Sequence, residues 1–458
     1  MSKLGQGWVE TLPRAFLDYH QSGRRIEEVE CIIPDLAGMS RGKSMPFYKF
    51  HPDVTFFLPI SLFYQTITGD YVNLEGIENQ WVEADVVLRP DMATASAVPW
   101  AEDVTLQVIN DLETRSGEPL AVAPRNVLKR VLRLYLDKGW RPVVAPELEF
   151  YLTNPNVDPN EPIQPPIGRT GRRGAGRQAY SMVAVDEYGP VIDTIYDYAE
   201  AQGLAIDTLI QEGGAGQIEI NLLHGDPLDL ADQVFYFKRA IREAALKNGT
   251  FATFMAKPMR DEPGSAMHIH QSVTDAKTGE NIFSEPDGSP TEAFRHFIGG
   301  SQQHLKSTVP LLAPFVNSYR RFTAGMSAPV NLEWAADNRT TGLRIPNSPA
   351  SARRIENRIV GIDSNPYLAI AASLACGYLG MVNKVEPRPE VKGEVYEDGA
   401  VLPRNLTEAL DGFDEDHTLR DVLGTEFCQL YAAIKNAELI EFEREISPWE
   451  REHLLLNV

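Results

Sequence analysis

Val143-Val-Ala-Pro-Glu147-Leu-Glu149-Phe-Tyr-Leu152 is a β-rich run that extends back to Arg141 and reads as a strand. Side chains two residues apart in a strand point the same way. Glu147 and Glu149 therefore share one face, a few ångströms apart. Two carboxylates held side by side repel each other unless something positive compensates. Two readings stay open at this point: a solvated strand face, and a face built to hold cations.

Outward from this strand the grammar differs on the two sides. Upstream, 126–136 has the spacing of an amphipathic helix, and the change of pattern begins at Pro124. Earlier still, 8–20 carries apolar residues at helical spacing and stops before Gly23. Residues 28–33 read as a strand, 35–38 as a turn and 42–46 as the returning strand, followed by short strand-like pieces at 54–58 and 86–88. The segment up to about Pro99 is a small strand-rich domain. Downstream, 155–178 is rich in Pro and Gly and carries Arg169, Arg172, Arg173 and Arg177, the signature of a long functional loop. Helices are expected at 191–202 and 229–246, strands near 340–346 and 353–360, and helices near 366–382, 406–412 and 426–440.

Composition bounds the function. The 458 residues hold 64 Asp+Glu against 43 Lys+Arg, a net charge of −21, which repels a phosphate backbone and excludes non-specific nucleic-acid binding. With 43% hydrophobic and 23% charged residues the chain is a folded globular protein, long enough for two domains. Cys31, Cys376 and Cys428 form no close pair, so neither a disulfide framework nor a CxxC metal site is expected, and a reducing compartment fits. The N-terminus has no apolar signal region. The longest nearly apolar run, 367–382, is shorter than the roughly 20 residues of a membrane span and reads as a buried helix. A soluble, cytoplasmic protein is expected.

Gly38-Met-Ser-Arg-Gly42-Lys43-Ser44 resembles a phosphate-binding P-loop but has three residues between its glycines where four are needed, and Pro46 precludes the required helix. Stronger signals surround the carboxylate strand. Gln211-Glu212-Gly-Gly-Ala-Gly-Gln-Ile-Glu219 places two more carboxylates around a glycine-rich bend. Gly264-Ser-Ala-Met-His268-Ile-His270-Gln-Ser272 places two imidazoles on one strand face, and Arg353-Arg354-Ile-Glu356-Asn-Arg358 adds a carboxylate between arginines. Many oxygen donors with a histidine suit Mg²⁺ or Mn²⁺ better than Zn²⁺. Arg339 and Arg344, in Asn338-Arg339-Thr-Thr-Gly-Leu-Arg344-Ile-Pro346, can clamp a transferring phosphoryl group or serve as ordinary surface ion-pair arginines. Divalent metals beside arginines, without a P-loop, suggest an ATP-dependent ligase.

In combination these motifs, with Lys257-Pro258 and Asn317-Ser-Tyr-Arg320-Arg321, resemble the glutamine synthetase family, type I, from about residue 24 to the end. The resemblance implies an α+β fold: an N-terminal helix (1–23), a β-grasp domain (24–110) and a catalytic domain (111–458) with a partial antiparallel β-barrel, its active site shared between subunits of a dodecamer of two stacked hexamers. It implies Glu149, Glu212 and Glu219 on one metal, and Glu147, His268 and Glu356 on a second. His270, Ser272, Arg344 and Arg354 resemble nucleotide contacts. Glu149, Gly264, Arg321 and Arg358 resemble glutamate contacts, and Arg339 and Arg344 phosphate clamps. The implied reaction phosphorylates the γ-carboxylate of L-glutamate with ATP, and an amine then displaces phosphate.

The departures from the family bear on the amine. Where the family's flap reads Gly-Tyr-Glu-Ala-Pro, this chain has Gly325-Met-Ser327-Ala-Pro329. Where a neighbour's loop reads Phe-Asp-Gly-Ser-Ser, it has Phe63-Tyr64-Gln65-Thr66, and Pro263 replaces an Asn before Gly264. The family's two ammonium-handling carboxylates are thus Ser327 and Tyr64 here. The pattern is similar to the γ-glutamylpolyamine synthetases, which use putrescine, spermidine or a similar amine. Glu212, assisted by Tyr180, is the expected proton acceptor. Acidic and aromatic side chains at Glu75, Glu78, Trp81, Glu333 and Trp334 could receive the far end of a diamine, or be plain surface and packing. The alternatives are an ammonia-using glutamine synthetase, a ligase for another (mono)amine, and a non-catalytic structural relative. Tyr396 lacks the family's adenylylation context, so no such control is expected.

Overall fold

The computed structural model describes residues 6–20, 25–74, 82–174, 176, 178–322, 328–396 and 402–458. Ser327, Arg177, Glu75, Glu78 and Trp81 lie outside the described residues. The strands in chain order are β1 (Glu28–Pro34), β2 (Ser40–Pro46), β3 (Phe56–Pro59), β4 (Asp85–Pro90), β5 (Ser96–Ala97), β6 (Thr105–Glu113), β7 (Trp140–Thr153), β8 (Ile206–Gln211), β9 (Gln217–Leu222), β10 (Phe251–Thr253), β11 (Ile269–Asp275), β12 (Trp334–Ala336), β13 (Leu343–Ile345) and β14 (Ile355–Asn357). The helices are α1 (Arg14–His20), α2 (Pro124–Asp137), α3 (Met182–Asp186), α4 (Gly189–Gln202), α5 (Pro227–Lys247), α6 (Glu292–Leu312), α7 (Pro366–Asn383), α8 (Leu406–Glu415), α9 (His417–Leu423), α10 (Thr425–Phe442) and α11 (Pro448–Leu454).

The α+β class holds. A first sheet runs β2-β1-β6-β4-β3, with β5 alongside β6. Its β1–β2 hairpin is antiparallel and its β1–β6 pair parallel. Strand β6 extends to Glu113, past the boundary expected at 110. A second sheet runs β12-β13-β14-β11-β7-β9-β8 and curls into a nearly closed barrel, with β10 on the end of β7. The N-terminal stretch expected as one helix over 8–20 divides into a 3₁₀ turn (Gln6–Thr11) and α1, with Pro13 between them; a proline there cannot donate to a continuous helical ladder.

Helices α2, α5, α6 and α7 pack behind the second sheet. Helix α7 opens on Asn365, whose side chain accepts from the amides of Tyr367 and Leu368, with Pro366 in the first turn. Of the described helices it alone is long and apolar enough to cross a membrane, and 89% of that window is buried inside the fold. It lies against α6 because neither helix carries a side chain where they touch: a Cβ on Gly300 would come within 2.3 Å of the Gly380 Cα. Arg125 of α2, 3% exposed, ties the first sheet to α5. Its guanidinium donates to Asp232 of α5 at 3.0 and 2.8 Å and to Asp91 at 2.7 Å. Tyr367 completes the knot through its hydroxyl, 2.6 Å from Asp232. The rigid frame thus formed leaves the concave face of the second sheet open.

Candidate active site

Sheet register alone assembles an acidic row. Pairing of β7 with β9 sets Glu149 directly opposite Glu219 and Glu147 opposite Asn221. On the other side of β7, the Glu147 amide donates to the His268 carbonyl at 2.9 Å, and the Glu149 amide to the Ala266 carbonyl at 3.0 Å. Strand β14 sets Glu356 opposite His270, and β13 sets Arg344 opposite Glu356. Five neighbouring strands therefore deliver carboxylate, imidazole and guanidinium groups to one line across the barrel wall. Directly opposite side chains are only about 5 Å apart at Cβ.

Glu212 reaches this row from the bend between β8 and β9. Its amide donates to the Gln217 carbonyl at 2.9 Å, and the Gln217 side chain accepts from the Gly214 amide at 3.0 Å and donates to the Gly264 carbonyl at 3.0 Å. Gly214 is obligatory, since a Cβ there would sit 2.0 Å from the Tyr151 hydroxyl. Tyr151 in turn donates to the Pro263 carbonyl at 2.8 Å, so the bend and the His268 strand are held as one unit.

The row splits into two electrostatic halves. Glu147 meets His268 Nδ1 at 3.1 Å and His270 Nε2 at 2.9 Å. Arg354 Nε donates to His270 Nδ1 at 3.1 Å. A guanidinium has no acceptor, so Nδ1 of His270 is the lone-pair nitrogen and Nε2–H points to Glu147. Burial opposes the charge on Glu147, but the two imidazole hydrogen bonds outweigh it and hold this carboxyl well below its usual range. Glu356 is flanked by Arg344 Nη1 at 2.7 Å and by Arg358. Burial again opposes its charge, and Arg358 and His268 bring it down to about 2. Burial and the neighbouring Arg358 lower His268 to about 4, which leaves it a neutral, ligating imidazole near neutral pH.

The other half lacks such partners. Burial, then the charge of Glu212, raises Glu149 to about 8, although the Ala266 amide donates to it at 2.8 Å. Burial, then the charge of Glu149, raises Glu219 to about 9. Burial raises Glu212 as well. These acids are crowded, buried and short of positive charge. Two sets of ligand atoms lie within 4.8 Å of one another: Glu147, Glu219 and His268, and Glu147, His270 and Glu356. Carboxylate oxygens with an imidazole, under-compensated in charge, fit hard divalent ions such as Mg²⁺ or Mn²⁺.

Two cavities meet at this row. One of about 490 Å³ is lined by Glu147, Glu149, Glu212, Glu219, His268 and Glu356. Tyr180, Gly264, Arg321, Arg339, Arg344 and Arg358 complete the expected residues in its wall. The second, of about 700 Å³, holds His270, Ser272 and Arg354, and the two share Glu147 and Asn221. Arg344 also pairs with Asp337 at 2.6 Å, and its Nε is buried with no hydrogen-bond partner among the described residues. Arg321 is spoken for: it donates to the backbone carbonyls of Ile359 at 2.8 Å and Arg358 at 2.7 Å, so it buttresses the Arg358 strand end.

Tyr64, expected on the loop that faces a neighbouring subunit's site, is 6% exposed and lines a third hollow beside Val72, Leu74 and Glu426. Glu333 and Trp334 are structural. Glu333 accepts from Arg388 at 3.0 Å, and the Trp334 indole donates to the Arg388 carbonyl at 2.7 Å. Gln217, Asn221 and Tyr396 also line the first cavity, and sequence reasoning gave them no role there. Gln217 had a signal, its place inside the glycine-rich bend; Tyr396 had none, because its long-range pairing brings it there.

The catalytic-domain family of glutamine synthetase matches residues 121–454. Over 435 residues the chain is 37% identical to gamma-glutamylputrescine synthetase PuuA of Escherichia coli (strain K12), spanning 94% of this chain and 92% of that one. It is 35% identical over 377 residues to a glutamate–isopropylamine ligase from Pseudomonas sp, with 80% of each chain covered. Among solved structures it resembles ligand-free GmaS, with a TM-score of 0.81 at 26% identity over 97% of this chain and 99% of that chain. Members of the matched family generally use ATP and divalent metals and act on glutamate and an amine. With strand register, acid row and arginine wall all in the matched region, the chain belongs to the glutamine synthetase family.

Proposed function

We propose that this enzyme joins the γ-carboxylate of L-glutamate to a polyamine, putrescine or spermidine or a similar amine, with ATP as the driving substrate. One observation carries the choice of amine. The cavity beside Glu212 keeps the acid row and the arginines, while the rest of its wall is uncharged, with Tyr180, Tyr396, Ala328, Ile210 and Pro263 beside the side-chain amides of Gln217 and Asn221, and no further carboxylate among the described residues. A small ammonium ion needs such a carboxylate, whereas a carbon-bearing amine is served by neutral and aromatic surface. The likeness to a gamma-glutamylputrescine synthetase and to a glutamate–isopropylamine ligase supports the same reading.

In this reading the γ-carboxylate oxygen of glutamate takes the terminal phosphoryl group of ATP, releasing ADP. Arg339, exposed at the cavity mouth, and Arg344, across from Glu356, present guanidinium donors to the charge that develops on the phosphoryl oxygens. Divalent ions held by the acid row would neutralise the phosphates. Gly264 offers backbone next to Arg321 and Arg358, where glutamate is read. Glu212 takes a proton from the alkylammonium, the freed amine nitrogen attacks the acyl carbon, the acyl C–O bond to phosphate breaks, and the second N–H proton leaves with the inorganic phosphate. The raised pKa of Glu212 suits a group that must accept a proton near neutral pH. Tyr180 orients the amine beside it. The domain division at 24 and 111, the dodecamer with shared sites and the cytoplasmic location belong to the same proposal. The experiment is phosphate release and γ-glutamyl-amide mass from the purified protein with ATP, Mg²⁺, glutamate and a panel of amines. Product from putrescine or spermidine well above that from ammonium is expected; ammonium as the best substrate refutes the reading.

A further inference from the structure

The catalytic cavity has two aromatic walls, Tyr180 and Tyr396, and the two chemical steps leave Tyr396 unused. Tyr180 is 65% exposed and adopts a left-handed backbone, φ 65°, uncommon for a bulky residue. Its amide donates to the Gln211 carbonyl at 2.8 Å, which pins its backbone to the residue before Glu212. Such backbone strain concentrates at ligand clamps. Tyr396 arrives from a different part of the chain. Residues 388–396 form a strap laid along 331–340. The Val391 amide donates to the Trp334 carbonyl at 3.1 Å, and the Asn338 side chain to the Gly393 carbonyl at 2.7 Å. The Asn331 side chain donates to the Val395 carbonyl at 2.9 Å, and the Val395 amide to the Thr340 hydroxyl at 3.2 Å. These bonds fix the strap onto the segment that carries Arg339 and leave Tyr396, half-buried, in the cavity wall.

The charges in the cavity restrict what those rings can do. Every carboxylate lining it is either Glu212 or a member of the acid row. A diamine placed with one nitrogen at the acyl carbon therefore finds no further carboxylate among the described residues for its other end. The aromatic faces are the remaining groups that attract a cation. We infer that Tyr396 is a specificity-determining residue, closing with Tyr180 around the second, cationic end of a diamine or polyamine. This rests on the glutamate–amine ligase reading above.

The test is a selectivity ratio measured on the full-length protein. Putrescine is compared with n-pentylamine, which has the same length but a methyl in place of the second ammonium, in the wild type, Tyr396→Leu and Tyr396→Phe. Removing the ring should lower the ratio of kcat/KM for the two amines about tenfold, and keeping it as Phe should hold the ratio within about twofold. General damage to the fold cancels in the ratio. An unchanged ratio in Tyr396→Leu, or an equal fall in Tyr396→Phe, overturns the assignment of the ring. A wild type that turns over ammonium but neither amine overturns the ligase reading itself; an amine-active wild type with an insensitive ratio overturns the Tyr396 assignment alone.

Discussion

Metal binding by this site should release protons, and the structure says from where. Without a metal, burial and then the charge of Glu212 push Glu149 up to about 8, and burial and then the charge of Glu149 push Glu219 up to about 9, against an ordinary value of 4.5. At pH 7 a group with a pKa one unit above the pH is about 90% protonated, and one two units above about 99%. Because the rise of Glu219 depends in part on an ionised Glu149, the pair holds between one and two protons that a bound divalent ion must displace. Glu147 and Glu356, already ionised, and His268, already neutral, contribute none. Apparent affinity for Mn²⁺ should thus climb about 10- to 100-fold per pH unit between pH 6 and 8 and flatten above 9. Isothermal titration calorimetry at pH 7, in buffers of different ionisation enthalpy, counts the protons directly, and Glu219→Gln should lower the count by about one. The same groups fix the stability profile. The unfolded chain loses these protons near pH 4.5 while the metal-free fold keeps them, so metal-free stability falls as pH rises from about 4.5 to 9. The melting-point gain from Mn²⁺ should grow over that window. Metal binding with no buffer-dependent heat, or affinity flat from pH 6 to 8, refutes the account of an uncompensated acid pair.

Other consequences can be checked separately. Glu212→Gln should retain most metal, because Glu149, Glu219 and Glu147 remain, yet lose amide formation; normal amide formation with normal metal content, by elemental analysis, removes Glu212 as proton acceptor. Arg339 is exposed, so Arg339→Ala should lower kcat by roughly 100-fold, the scale of one lost transition-state donor, while thermal denaturation shows an unchanged melting point. Gly214→Ala should cost about 1–3 kcal/mol in urea denaturation, because its Cβ would overlap the Tyr151 hydroxyl at 2.0 Å. Glu356→Gln leaves Arg344 and Arg358 facing each other without their shared carboxylate; activity should be lost, and a melting point as high as wild type would contradict the charge ladder.

What could be read from sequence, and what could not, follows from how far apart the interacting residues lie. The pair Glu147 and Glu149 was legible because strand periodicity alone sets side-chain direction, and the β8–β9 bend because its glycines mark it. Helix α6 was not read: Gly299, Gly300 and Pro310 all argue against a helix locally, and it exists because those glycines let α7 approach. The Glu149–Glu219 opposition and the Arg344–Glu356–His270 line depend on register between strands tens to hundreds of residues apart, which no local pattern encodes. Glu333 and Trp334 left two readings open for the same reason, an amine mouth or plain packing, and their partner Arg388, more than fifty residues on, supports the packing reading.

Register also explains why one row of similar acids can do two jobs. Five carboxylates lie within one cavity wall, and composition alone would treat them alike. The β14 side receives Arg344 and Arg358 by cross-strand and same-strand placement, so Glu356 is neutralised by the protein itself. Glu147 is satisfied by two imidazoles from the β11 side. On the β7–β9 side the compensation is weaker: the Ala266 amide, His268 at 3.8 Å and the charges of Arg321 and Arg358 do not outweigh burial and the neighbouring carboxylates, so protons are held there until a cation arrives. In the proposed function this leaves the least compensated acids, Glu149, Glu219 and Glu212, for metal beside the amine, and the arginine-rich side for phosphate. A substitution that brought an arginine to the β9 side would satisfy the same charge without a metal. Such a protein should gain metal-free stability at pH 8 and lose its affinity for Mn²⁺ together, and a variant that gained the first while keeping the second would show that charge balance is not what draws the ion to this site.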